Sequence, residues 1–115
     1  MNYEAAQKIG DYGEKLIKSL CPLWDFANTD YYDFHTSNGL PAEIKTTMSE
    51  KRFQMKGGQV EYIRHEEGLF IFIDLSGRKL YVLWAVKLAL FATRSSIALN
   101  TVKKLSHITV NLKEL

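Results

Sequence analysis

The sequence is poor in the residues that build several common kinds of site. It has one cysteine, Cys21, among 115 residues. An intramolecular disulfide is therefore impossible, and a cysteine-rich zinc or iron–sulfur centre is excluded. Its two prolines, Pro22 and Pro41, leave no proline-rich linker. The longest apolar stretch, Leu80 to Phe91, is interrupted by Lys87 and is too short to span a bilayer. The opening MNYEAAQKIG has no apolar core of the signal-peptide kind. No repeat, Gly-rich phosphate loop or Ser/His/Asp arrangement is visible, and His65-Glu66-Glu67 lacks the second histidine of a zinc helix. The net charge of +2 favours a polyanionic partner only weakly. The expectation is one soluble, cytoplasmic domain over residues 1–115, with no membrane contact and no small-molecule cofactor.

What is present is an ordinary globular composition, 46% hydrophobic and 24% charged. Spacing predicts a helix over residues 3–21, with Ala6, Ile9, Leu16, Ile17 and Leu20 near one stripe and Pro22 as its stop. Gly10 and Gly13 imply a kink, a later start near Asp11, or a bare backbone approaching a phosphate or the sheet. Leu23 to Ala27 reads as a strand, and Tyr32 to Thr36 with Ala42 to Thr47 as a hairpin. Met48 to Gly58 reads as a polar loop and Gln59 to Glu67 as a short helix. Leu69 to Leu75 suits a strand buried on both faces. Lys79 to Leu83 returns as a strand, Ala85 to Ala92 and Asn100 to Leu105 read as helices, and His107 to Leu112 as a late edge strand. Trp24, Phe26, Trp84 and Phe91 are expected in the core. This order predicts an α/β fold, a mixed central sheet flanked by helices.

The hairpin carries the chemistry. Asp33 precedes the triplet Glu43-Ile44-Lys45 by ten positions, with the turn signal Asn38-Gly39 between them. Two carboxylates meeting there suit a hard divalent cation, and a lysine beside it can orient a water or stabilise charge developing on phosphorus. Register decides whether they meet. A strict two-residue turn would pair Ser37 with Leu40 and send Asp33 to the face away from Glu43. A three-residue loop with Gly39 in the left-handed region brings the acids to one face. The bland alternative is an exposed strand with alternating charges. Glu14 likewise reads as a partner of Lys18 one helical turn on, or as a site residue.

The order of a helical Glu14, Asp33, a turn, Glu43-Ile44-Lys45, a helix and an apolar strand resembles the core of the PD-(D/E)xK nuclease superfamily. The resemblance covers roughly the first 85 residues and is nearest the small Holliday-junction-resolvase-like and phage nuclease branch. Tyr32 stands where the family pattern has proline. The resemblance implies a restriction-endonuclease-like core. It assigns Asp33, Glu43, Lys45 and Gln59 to catalysis, and Glu14, Asp33, Glu43 and the carbonyl of Ile44 to Mg²⁺, with Mn²⁺ as a substitute.

The activity so implied is metal-dependent hydrolysis of DNA phosphodiester bonds by an endonuclease, structure-selective for branched DNA such as Holliday junctions. The alternatives are a non-catalytic nucleic-acid-binding module of this fold, or a nuclease acting on single strands, duplex ends or RNA. Lys51, Arg52, Lys56 and Arg64 are the candidate phosphate contacts, with Tyr31 or Tyr32 available for stacking. A homodimer is expected, since coordinated cutting of two strands needs two copies; Ala85–Phe91 is its candidate contact.

Overall fold

The computed structural model describes residues 3–112. Helix α1 (Tyr3–Leu20) has Glu4 in its first turn and Lys18 in its last, which complements the helix dipole. Strands β1 (Asp25–Phe26), β2 (Phe34–His35) and β3 (Pro41–Thr47) follow, then β4 (Arg52–Gln54) and helix α2 (Gln59–His65). Next come β5 (Leu69–Asp74), β6 (Lys79–Trp84), a 3-10 helix (Ala85–Phe91), β7 (Ser96–Ala98), α3 (Leu99–Leu105) and β8 (Ile108–Asn111).

The main sheet has six strands in the order β1-β2-β3-β5-β6-β8. Strands β3 and β5 run parallel, joined by a crossover through α2, while the other neighbours are antiparallel. The mixed α/β architecture is as the sequence predicts. Every residue of β5 is buried, so this central strand feeds two cores. On one face Leu69, Ile71 and Ile73 pack with Ala42 and Ile44 of β3 and Ile17 of α1. On the other, Phe70 and Phe72 pack with Val60 and Ile63 of α2, Leu88 of the 3-10 helix and Val102 of α3.

Several expectations change. The segment 48–58 is not wholly loop: β4 pairs with β7 in a separate two-stranded sheet that places Phe53 and Ile97 in the second core. The strand over 23–27 shortens to Asp25–Phe26. Ala85–Phe91 winds as a 3-10 helix, whose buried Ala85 and Leu88 lie three apart, the repeat of that helix. Phe26 and Trp84 are 57% and 42% exposed, not core, whereas Trp24 and Phe91 are partly buried against it. Of the helix stripe, Ile17 is fully buried, while Ala6 and Leu20 are exposed. Burial pushes the thiol pKa of half-buried Cys21 up, away from thiolate chemistry. No helix among the described residues is long and apolar enough to cross a membrane.

Candidate functional site

The site begins with the hairpin register. Phe34 pairs with Ala42 and His35 with Pro41, and the Thr36 N–H donates to Leu40. The loop is therefore Ser37-Asn38-Gly39, with Gly39 at φ +83°, a conformation glycine adopts without a Cβ penalty. Pro41, unable to donate to a ladder, opens β3. This is the odd-length loop that the metal-site reading requires.

Strand β2 ends its pairing at Phe34, while β3 runs on to Thr47. Asp33 sits where the two part. Its N–H donates to the carbonyl of Ala42 at 3.0 Å, and its Oδ2 accepts the N–H of Ile44 at 2.9 Å. The aspartate thus closes the open edge of β3 with its side chain. In a strand, the N–H and C=O of one residue point the same way, so the Ile44 carbonyl faces the same opening. The side chain of Ile44 turns into the core below.

Glu43 and Lys45 leave the other face, in register with Phe70 and Phe72. Lys45 Nζ lies 3.2 Å from Glu43 Oε2. Glu43 is only 6% exposed, which removes the reading of a solvated, charge-alternating strand. Burial, followed by a hydrogen bond and repulsion from Asp33, raises its carboxyl pKa to about 8 against the pull of Lys45. Glu14 reaches Asp33 from α1. Burial and then Asp33 raise its pKa to about 7. Lys18 does not pair with Glu14 in the described contacts: its ammonium bonds the carbonyls of Pro22 and Trp24 and lies over the Phe26 ring.

The helix comes this close because of Gly13, where a Cβ would overlap Thr46 Oγ1. At Gly10 a Cβ would meet nothing, so close approach explains one glycine of the pair. Gln59 opens α2 over the Glu43 and Lys45 face and is 1% exposed, not a solvated first-turn residue. Its Nε2 donates to the Tyr31 carbonyl at 2.7 Å, and its Oε1 is buried without a partner among the described residues. Unsatisfied buried acceptors are uncommon, and one beside a site suits a donor brought by a ligand or water.

Among the described residues no group of three or more His, Cys, Asp or Glu side chains is gathered as a ready ion cage. The carboxylates of Glu14 and Glu43 instead each interact with Asp33 between them. This donor set fits Mg²⁺, which is held through one or two carboxylates with waters and substrate phosphates rather than by a full protein cage. Asp33 Oδ1, the second oxygen of Glu43 and the Ile44 carbonyl are the oxygens suited to it. The raised pKa values, caused first by burial and then by Asp33, mark carboxyls whose ionised form a cation would stabilise.

Beside Ile44 and Lys45 opens a groove of about 680 Å³ between the first turns of α1 and strand β4. Lys51 and Arg52 line it, together with Glu50. Lys51, Arg52 and Lys56 are exposed, and Arg52 Nε donates to Ser96 Oγ at 3.0 Å. Arg64 stands elsewhere. It pairs with Glu61 at 2.6 Å and lines a separate cavity of about 490 Å³ with Leu40 and Trp84. Sequence reasoning missed Tyr62, which stacks on Tyr31; its spacing three residues after Gln59 on one helix was the available signal.

No protein-family model matches the chain, and no curated protein matches its sequence.

Proposed function

We propose that this chain is a metal-dependent endonuclease of the PD-(D/E)xK type, with a restriction-endonuclease-like core, that hydrolyses phosphodiester bonds in DNA. The observation carrying this reading is the convergence of Asp33, Glu43 and Lys45 at the open edge of β3, with two neighbouring carboxyls raised in pKa. The strand-edge bond of Asp33 and the contact of Glu43 with Lys45 leave Glu14, Asp33 and Glu43 crowded together, an arrangement that costs free energy unless a cation offsets it.

Asp33, Glu43 and the Ile44 carbonyl would hold Mg²⁺, or Mn²⁺ in its place, with Glu14 acting through Asp33. The bound ion supplies Lewis acidity toward the phosphate and acidifies a water. Lys45 orients that water or a phosphoryl oxygen with its ammonium, and Gln59 offers its free Oε1 as an acceptor beside it. Lys51 and Arg52 along the groove, with exposed Lys56 further on in the chain, neutralise backbone phosphates, contacts that position a strand without reading its sequence. Branched DNA is the preferred substrate in this reading. Two copies would be needed for paired cuts, meeting at the 3-10 helix, where Val86 and Leu90 are 61% and 88% exposed.

A second reading is a non-catalytic nucleic-acid-binding module, favoured by the direct contact between Lys45 and Glu43, which gives each group a partner without a ligand. One experiment separates the two. Purified protein is given four-way junction, flap, duplex and single-stranded DNA, and RNA, with Mg²⁺, Mn²⁺ or EDTA, beside Asp33→Ala and Lys45→Ala. Metal-dependent cleavage that both variants lose supports the nuclease. Binding that persists in EDTA with no cleavage of any substrate selects the module.

A further inference from the structure

We propose that Tyr31 and Tyr62 form a stacking platform for an unpaired nucleobase of the bound strand, next to the acid site. The proposal deepens the nuclease reading and rests on it for the strand's identity as nucleic acid.

The two rings lie parallel, with centroids 4.5 Å apart and planes 9° from each other. Tyr32 stacks on Tyr62 as well, at 6.0 Å and 22°, and its hydroxyl bonds His35 Nε2 at 2.9 Å. Despite this packing Tyr31 is 47% exposed and Tyr62 39% exposed. With Tyr62 stacked by both neighbours, Tyr31 is the most exposed ring of the stack and the one on which a base would seat.

Its position is fixed from α2. Gln59 and Tyr62 lie three apart, on one side of that helix. The first grips the Tyr31 carbonyl and the second its ring. Asp33 follows two residues later. A base seated on Tyr31 would therefore place its strand beside the carboxylates. Glu61 on the helix is already paired with Arg64, and Glu66, one turn past Tyr62, is the acid whose charge acts on Tyr32.

Aromatic faces bind bases through stacking, which every base supports and which needs the base out of the duplex stack. The ligand class is thus an unpaired base, whether from a single strand, a flap or the centre of a junction. A blunt duplex offers none.

The test measures binding in EDTA, so it does not depend on cleavage. Oligonucleotides carrying 2-aminopurine are presented as single strand, flap, four-way junction and blunt duplex, in DNA and RNA, to wild type, Tyr31→Leu, Tyr62→Leu and Tyr31→Trp. The expected result is quenching of the unpaired 2-aminopurine by wild type and Tyr31→Trp. The leucine variants should lose the quenching and about five- to hundred-fold in affinity for unpaired DNA, with duplex affinity unchanged. The arms with an unpaired base identify its source. If the leucine variants keep both quenching and affinity, the tyrosines only pin the loop to α2 and the proposal falls. Tyr62→Leu guards against a local effect at Tyr31. Absence of cleavage by wild type in Mg²⁺, with quenching intact, would overturn the nuclease reading and leave the platform standing.

Discussion

The carboxylate of Asp33 accepts the backbone N–H of Ile44, eleven residues further along the chain, at 2.9 Å. An acid that belongs to the candidate metal site is therefore also the cap of an unpaired strand edge. Asp33→Asn keeps an acceptor there and removes the charge. Metal-dependent cleavage should fall by at least about 100-fold, as expected when a charge acting on the reacting centre is lost. Thermal stability in EDTA should hold or rise, because Glu14 and Glu43 lose a repulsive neighbour. A lower melting temperature for Asp33→Asn would show that the charge itself supports the fold.

Raised carboxyls give stability a definite pH slope. Unfolded Glu releases its proton near pH ~4.3, whereas Glu14 holds its proton to about 7 and Glu43 to about 8. Between these limits the folded chain binds protons that the unfolded chain has lost, so stability falls as pH rises, and levels off above the higher value. Glu50 and Glu61, whose pKa values are lowered, act below this window. Melting in EDTA should be lower at pH 8.5 than at 5.5, and Mg²⁺ should raise it more at the higher pH. A melting temperature that rises across this range in EDTA would mean Glu43 is not held protonated.

The two glycines of α1 should respond oppositely to alanine. Gly10→Ala meets no atom and should stabilise by about 1 kcal/mol through helix propensity. Gly13→Ala would drive a methyl into Thr46 and should destabilise by about 1–3 kcal/mol. Adding Thr46→Ala should return part of that loss. Chemical denaturation of the three variants checks the pattern, and equal effects at both glycines would refute close approach at Gly13.

Much of this was legible in the sequence, and the failures have physical causes. The turn was legible at Asn38-Gly39, but its length was not, since a two-residue and a three-residue loop both suit those residues until the register is known. The buried run Leu69 to Asp74 was plain. Strand β4 was not, because in Arg52-Phe53-Gln54 a single apolar residue is buried and its partner β7 lies far along the chain. Nor does any local pattern say that Glu43 and Gln59 are buried: both are enclosed only once the crossover through α2 has set β5 beside β3. The Ala85–Phe91 stretch carries helix-forming residues, and the choice of a 3-10 helix depends on its contacts with the core.

Lys51 and Arg52 give the proposed DNA binding a separate test. Each alanine substitution should weaken DNA binding about equally across sequences and reduce the salt slope by about 1. Arg64→Ala, whose guanidinium is bound to Glu61, should change the slope much less. Titrations over a range of salt concentrations test this, and an equal loss at Arg64 would extend the strand's path along α2 beyond Tyr62.

Ile44 faces two ways, its side chain in the core under α1 and its peptide group held by Asp33. Interior volume and the geometry of the candidate site are thereby mechanically linked through one residue. Trimming a single methyl with Ile44→Val would be felt as a displaced carbonyl at the strand edge. Selection on this chain's thermal tolerance and on the layout of its acidic cluster would then act on the same few atoms.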